Sequence, residues 1–239
     1  FPTNSFRNLE YLKKYSFLGN KIVSNSEFFY GRESDLTKFK DKKILVIGGG
    51  PTTNSHEWNP EKYDYIFSCN HFFLNKKVRE TKVELAIITN EVDLNGDKFL
   101  NYIQQNNTSI VFEDYNNEIE HVVNLNNKID NNIIECLLRF QTKTGVGAKV
   151  IVLATLLGAK EVHFIGVDGP PKSGLDSQHS FEKGKKLSVL GSSTPYPYEL
   201  FYKQYECLVR YLTKDIGREV AYKNLGKGHD LNIIGQILA

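Results

Sequence analysis

The sequence contains no methionine in 239 residues, one tryptophan, three cysteines and seven prolines. The cysteines, Cys69, Cys136 and Cys207, are odd in number, widely spaced and without a C-x-x-C pair. Neither a disulfide scaffold nor a zinc site is indicated, and a reducing, cytoplasmic setting is expected. No apolar run approaches the roughly 18 residues of a membrane span. An excess of one charge is also missing: 30 Lys and Arg stand against 28 Asp and Glu, a formal net charge of +2. A protein whose main partner is a polyphosphate backbone carries a basic excess, so nucleic acid is not an expected partner. The opening Phe1-Pro2 lacks the pattern of a signal peptide. It reads, as an expectation, as the start of a domain cut from a longer polypeptide, whose remainder would provide any peripheral membrane association.

What is present suits a folded protein: 40% hydrophobic and 12% aromatic residues, with a length that can bury a sizeable core. The 24 lysines against 6 arginines, and the 22 asparagines, are a compositional bias from which no mechanism follows. Residues 1–41 are polar and aromatic with weak periodicity, contain a candidate helix over Asn8–Leu18, and read as an appendage or linker to a domain at 42–239. From Lys42 the texture changes. The run Lys43-Ile44-Leu45-Val46-Ile47 is short, apolar and β-branched, and stops at Gly48-Gly49-Gly50-Pro51, as a buried parallel strand does on entering a tight turn. Further strands are predicted at Tyr63–Cys69, Leu85–Thr89, Ser109–Glu113, Val162–Val167 and Val220–Asn224. Helices are predicted at Gly96–Gln105, Asn131–Gln141, Gly145–Leu157 and Glu199–Lys214, with Gly158 as a C-terminal cap. Single strands alternating with helices predict βαβ units: an α/β, Rossmann-like domain with a mostly parallel sheet, helices on both faces and a lid loop.

In such sheets ligands sit outside the carboxyl ends of the strands, which singles out the residues just after each one. Gly48, Gly49 and Gly50 with Pro51 and Thr52 let backbone amides approach an anion, although a tight turn without a ligand uses the same residues. The dinucleotide fingerprint fails at Thr53, and no acid follows the second strand to hold a ribose. No G-x-x-x-x-G-K-[ST] run is present. Asn70 and Asn90 follow strands and can bind a ribose, base edge or phosphate, or can be turn residues. Thr144-Gly145 opens an apolar helix, either as a cap alone or as a phosphate site. Gly166-Val167-Asp168 leaves another strand and leads into a long loop. There His179 suits proton transfer and Lys183, Lys185 and Lys186 can offset phosphate charge; a solvated basic loop is the bland alternative. Tyr196, Tyr198, Tyr202 and Tyr205 can supply phenolic hydrogen bonds or form a core face. Glu91-Val92-Asp93 is a poor substitute for a D-x-D metal motif, so no metal is expected.

In order along the chain, Val46–Pro51, Phe67–Phe73, Ile88-Thr89-Asn90, Thr144-Gly145-Val146, Gly158–Val162 and Gly166-Val167-Asp168 resemble the bacterial lipooligosaccharide sialyltransferases of glycosyltransferase family 42. The resemblance covers roughly residues 42 to 225. It implies a nucleotide-binding α/β domain, a CMP-activated sugar donor as substrate, inversion at the anomeric carbon and no metal or other cofactor. By position it places Gly48–Pro51, Thr52, Asn70, Asn90, Thr144, Gly145, Gly166 and Lys183 around the nucleotide, with Asp168 completing the pocket. It makes His179, Tyr196, Tyr198 and Asp168 catalytic candidates. The family's general-base histidine is expected near Pro195–Leu200, where this chain has tyrosines. Either His179 takes an acid/base role, Tyr196 or Tyr198 assists, or the donor or stereochemistry differs. The implied function is sugar transfer to a glycan acceptor in cell-surface polysaccharide or lipooligosaccharide synthesis, in the cytoplasm or at the inner face of its membrane. The glycine turn and G-x-D strand end also resemble proteins related to hydroxymethylpterin diphosphokinases and flagellin-modifying glycosyltransferases. That likeness keeps pyrophosphoryl transfer open, and a non-catalytic nucleotide-binding module is the third reading.

Overall fold

The structure, a computed structural model, describes residues 28–30, 36–55, 58–89, 91–113, 125, 133–138, 140, 145–169, 179–185, 198–216 and 219–226. Its strands are β1 (Phe28–Tyr30), β2 (Lys43–Ile47), β3 (Tyr65–Cys69), β4 (Leu85–Ile87), β5 (Ser109–Glu113), β6 (Ile133–Leu137), β7 (Glu161–Ile165) and β8 (Ala221–Asn224). They form one sheet in the order β1-β6-β5-β4-β3-β2-β7-β8. β2 through β8 pair in parallel, and β1 alone runs antiparallel, against β6 at the edge. The helices are α1 (Thr52–Ser55), α2 (Lys76–Arg79), α3 (Asp97–Asn106), α4 (Val146–Leu156) and α5 (Tyr198–Arg210), the last continued by a π-helical turn over Tyr211–Asp215. This is the α/β, Rossmann-like domain that the alternation of strands and helices predicts.

The chain lays β2 to β6 outward in one direction and then returns through α4 to place β7 on the other side of β2. The direction of winding reverses between β2 and β7, the position where open α/β sheets bind ligands. α4 can make that crossing because it is apolar nearly all round: Ala148, Val150 to Thr155 and Leu156 are all buried. Gly158 ends the helical segment at φ +87, a conformation costly for any residue with a β-carbon.

Two parts of the sequence differ from the expectation. Asn131–Gln141, predicted as a helix, contains the strand β6. A short apolar run cannot be told from a buried helix by periodicity, and here the β-branched pair Ile133-Ile134 aligns beside β5. The stretch read as an appendage contributes to the domain at residues 28–30, as β1, and at 36–41. Leu36 and Phe39 are buried, and the Phe39 ring meets Tyr65 and Phe67 edge-on at 5.0 and 4.9 Å. Each such aromatic pair is worth about 0.5–1.5 kcal/mol beyond burial. Lys38 also pairs with Glu84 at the start of β4, at 2.5 Å. The candidate helix at Asn8–Leu18 lies outside the described residues.

Candidate functional site

Immediately after β2, the amide of Gly48 donates to Ile165 at 2.8 Å and that of Gly50 donates to Gly166 at 2.7 Å. The glycine turn therefore continues the β2–β7 ladder instead of offering every amide to a ligand. A β-carbon at Gly48 or Gly166 would overlap the other strand's backbone carbonyl, and one at Gly50 would overlap the Asp168 carboxylate. These glycines exist because two strand ends run in contact past the end of the sheet.

Asp168 is 3% exposed and holds the start of α1. One oxygen accepts from the Thr52 hydroxyl at 2.5 Å and the other from the Thr52 amide at 2.9 Å. The Thr52 hydroxyl oxygen accepts in turn from the Gly166 amide at 3.0 Å, and Thr53 donates to the Gly48 carbonyl at 2.8 Å. Asp168, Thr52 and Gly166 thus form a buried clamp that shapes the turn. Within Gly48–Gly50, the amide left without a hydrogen bond among the described residues is that of Gly49.

A second segment, residues 179–185, closes over this turn. The Ser180 amide donates to the Gly49 carbonyl at 2.8 Å, and Asn75 donates through its side-chain amide to the Ser180 carbonyl at 3.0 Å and to Asn54 at 2.8 Å. His179 is fixed from both sides. Its Nδ1 accepts from the amides of Phe181 and Glu182, each at 3.3 Å, while its Nε2 and Cε1 lie where a β-carbon on Gly49 would sit. An Nδ1 that accepts from amides carries no proton, so in neutral imidazole the proton is on Nε2. Burial and the nearby Lys185 push the His179 pKa below its ordinary value, which keeps the ring neutral at pH 7. His179 therefore presents an uncharged N–H donor against Gly49.

Charged groups surround this point. Glu182 approaches His71 Nδ1 at 3.1 Å and Lys185 at 2.7 Å, and Lys185 also reaches Glu91 at 2.8 Å. The His71–Glu182 contact is not aligned as a hydrogen bond. Burial lowers the Lys185 pKa, but hydrogen bonds and charge from Glu182 and Glu91 outweigh it and raise the pKa overall. Asn70 adopts the left-handed conformation at φ 46, and its carbonyl oxygen accepts from the amide and hydroxyl of Thr89 at 3.0 and 3.2 Å. That leaves its NH2 directed to neither partner. Cys69 beside it is fully enclosed, and desolvation pushes its thiol pKa up to about 12, so it is not a nucleophile.

The structure thus brings together Gly48, Gly49, Gly50, Pro51, Thr52, Gly166, Asp168 and His179. Gly145 precedes α4 at φ 100, exposed, and Lys183 is exposed on the loop. Asn90, Thr144 and Tyr196 lie outside the described residues, as does the side chain of Tyr198, whose backbone begins α5. Tyr205 is 1% exposed and belongs to the core, where it packs on Phe201. Sequence reasoning left His71, Asn75 and Glu91 out of the site. His71 is the second residue past β3, which is a usable signal, but nothing local predicts that Asn75 would reach Ser180. Among the described residues no three His, Cys, Asp or Glu side chains assemble a metal site, and no helix is long and apolar enough to cross a membrane. The chain matches no protein-family model and no curated protein.

Proposed function

We propose that this chain is a glycosyltransferase that moves a sugar from a nucleotide donor, a CMP-activated sialic-acid-like sugar being favoured, to a glycan acceptor of cell-surface polysaccharide or lipooligosaccharide. The observation that carries this reading is the packing of His179 Nε2 against Gly49 at the carboxyl edge of the sheet, with Asn70 just past the end of the neighbouring strand β3. Two neutral donors, with Lys185 nearby, suit a phosphate that gains negative charge as it departs. The order of motifs along the chain supplies the choice of nucleotide and sugar.

In the mechanism, the acceptor hydroxyl attacks the anomeric carbon as the bond from that carbon to the phosphate oxygen breaks. The electron pair stays on the phosphate, where His179 and Gly49 donate hydrogen bonds to it. Asp168 touches no reacting atom; it is a positioning residue that fixes Thr52 and hence the turn. His179 also cannot serve as the base in this geometry, because the nitrogen facing the turn already carries its proton.

Thermal shift with CMP, UDP, GDP and ATP is the first test. CMP at 100 times its Kd should stabilise the protein by about 2.7 kcal/mol, a shift of several degrees. A shift confined to ATP would instead support pyrophosphoryl transfer. Binding of CMP without hydrolysis or transfer of any CMP-sugar would leave a nucleotide-binding module.

A further inference from the structure

The roles above leave the acceptor's proton without a destination. Glu113 is the last residue of β5, at the same carboxyl edge as the glycine turn. Its side chain is 8% exposed, and Lys149, on the first turns of α4, forms a close ion pair with one of its oxygens. The other oxygen, Oε1, is buried with no hydrogen-bond partner among the described residues. An unpartnered carboxylate oxygen away from water costs stability and calls for a reason, and a ligand proton is one.

Strand order places Glu113 relative to the glycine turn. β5 and β2 are three strands apart in the sheet, roughly 14 Å at the usual strand spacing, and Glu113 and the turn both stand at its carboxyl edge. A sugar donor on the turn and an acceptor beside it would bridge that distance.

We infer that Glu113 is the general base of the transfer, with Lys149 as the positioning residue that fixes its carboxylate. This rests on the glycosyl-transfer reading. As the acceptor oxygen bonds to the anomeric carbon, its proton passes to Glu113 Oε1, and the carbon–phosphate-oxygen bond breaks with its electron pair remaining on the nucleotide. Burial raises the Glu113 pKa, and Lys149, the charged group set against it among the described residues, pulls it partly back. A carboxylate so placed is a stronger base than an exposed one.

The test follows CMP release from CMP-N-acetylneuraminic acid, with water or azide as acceptor, in wild type, Glu113→Gln and Glu113→Asp. Water must lose a proton, whereas azide has none to lose. Glu113→Gln is expected to slow hydrolysis about 100-fold or more, to lose the wild-type rise in rate with pH and to retain the azide rate. Glu113→Asp is expected to keep the pH limb at reduced rate. Hydrolysis by Glu113→Gln within threefold of wild type, or equal slowing with water and azide, would overturn the base assignment while leaving transfer intact. A wild type that consumes no CMP-sugar would overturn the underlying reading together with it. Carbon-13 titration of Glu113 in the wild type needs neither variant nor turnover: a midpoint above 4.5 is expected, and one at or below it counts against the assignment.

Discussion

A β-carbon at Gly49 would run into the His179 ring, so the glycine and the histidine depend on each other. Gly49→Ala should push the ring away from the turn and weaken CMP binding about tenfold, equivalent to about 1.4 kcal/mol, as calorimetry would register; unchanged affinity would separate the ring from the nucleotide. His179→Ala should lower turnover about 100-fold, the usual effect of losing one donor to a developing anion. His179→Gln, which keeps an N–H, should recover part of that loss. Asn70→Ala should weaken nucleotide binding and also release Thr89. Asp168 acts on the turn rather than on substrate, so Asp168→Ala should appear first as lost stability, about 1–3 kcal/mol from the stranded Thr52 donors, measurable by denaturant unfolding. The glycine triplet and Asp168 were legible in the sequence as strand-end residues, and His179 as a residue of the loop that follows. Their division into clamp and donor was not, because it depends on which amides the neighbouring strand already occupies.

The loop at 179–185 is anchored through His179, which is neutral because it is buried. The sign of its pH dependence follows: with the folded pKa below 6.5, the unfolded chain takes up the proton first as pH falls. The contribution is present above the ordinary histidine value and is lost as pH falls from there toward the folded pKa. Melting temperature should drop on acidification from pH 7.5 to 5.5, and less steeply in His179→Gln; an equal slope in both would place the titration elsewhere. Strands β2 and β5 lie where the sequence predicts them, residue for residue, since β-branched runs ending in a turn or an acid leave little ambiguity. β6 did not, because Cys136, Leu137 and Leu138 suit a helix as well as a strand and only pairing with β5 and β1 decides between them. β1 is three aromatic residues, too short to carry a period.

Across the whole sheet the polar chemistry divides between its two edges. At the amino edge Tyr63, His163, Glu161 and Lys43 form a connected set: Tyr63 Oη meets His163 Nδ1 at 2.9 Å, His163 Nε2 meets Glu161 at 2.5 Å, and Lys43 meets Glu161 at 2.8 Å. Burial depresses the His163 pKa despite Glu161. This set joins β2, β7 and the segment before β3 at the end of the sheet opposite the glycine turn. His163→Gln should therefore cost about 1 kcal/mol of stability without altering CMP affinity, a separation that paired unfolding and calorimetry can check. The fold was legible because alternating strands and helices constrain topology strongly. The site was legible only in part, because His179, His71, Glu91 and Glu113 come from separate strand ends and loops that meet in space. The most direct measurement is CMP release from CMP-N-acetylneuraminic acid by the wild-type protein, with the configuration of the product followed by NMR. The account predicts release with inversion, reduced about 100-fold by His179→Ala. No release from the CMP donor, together with consumption of ATP, would contradict it.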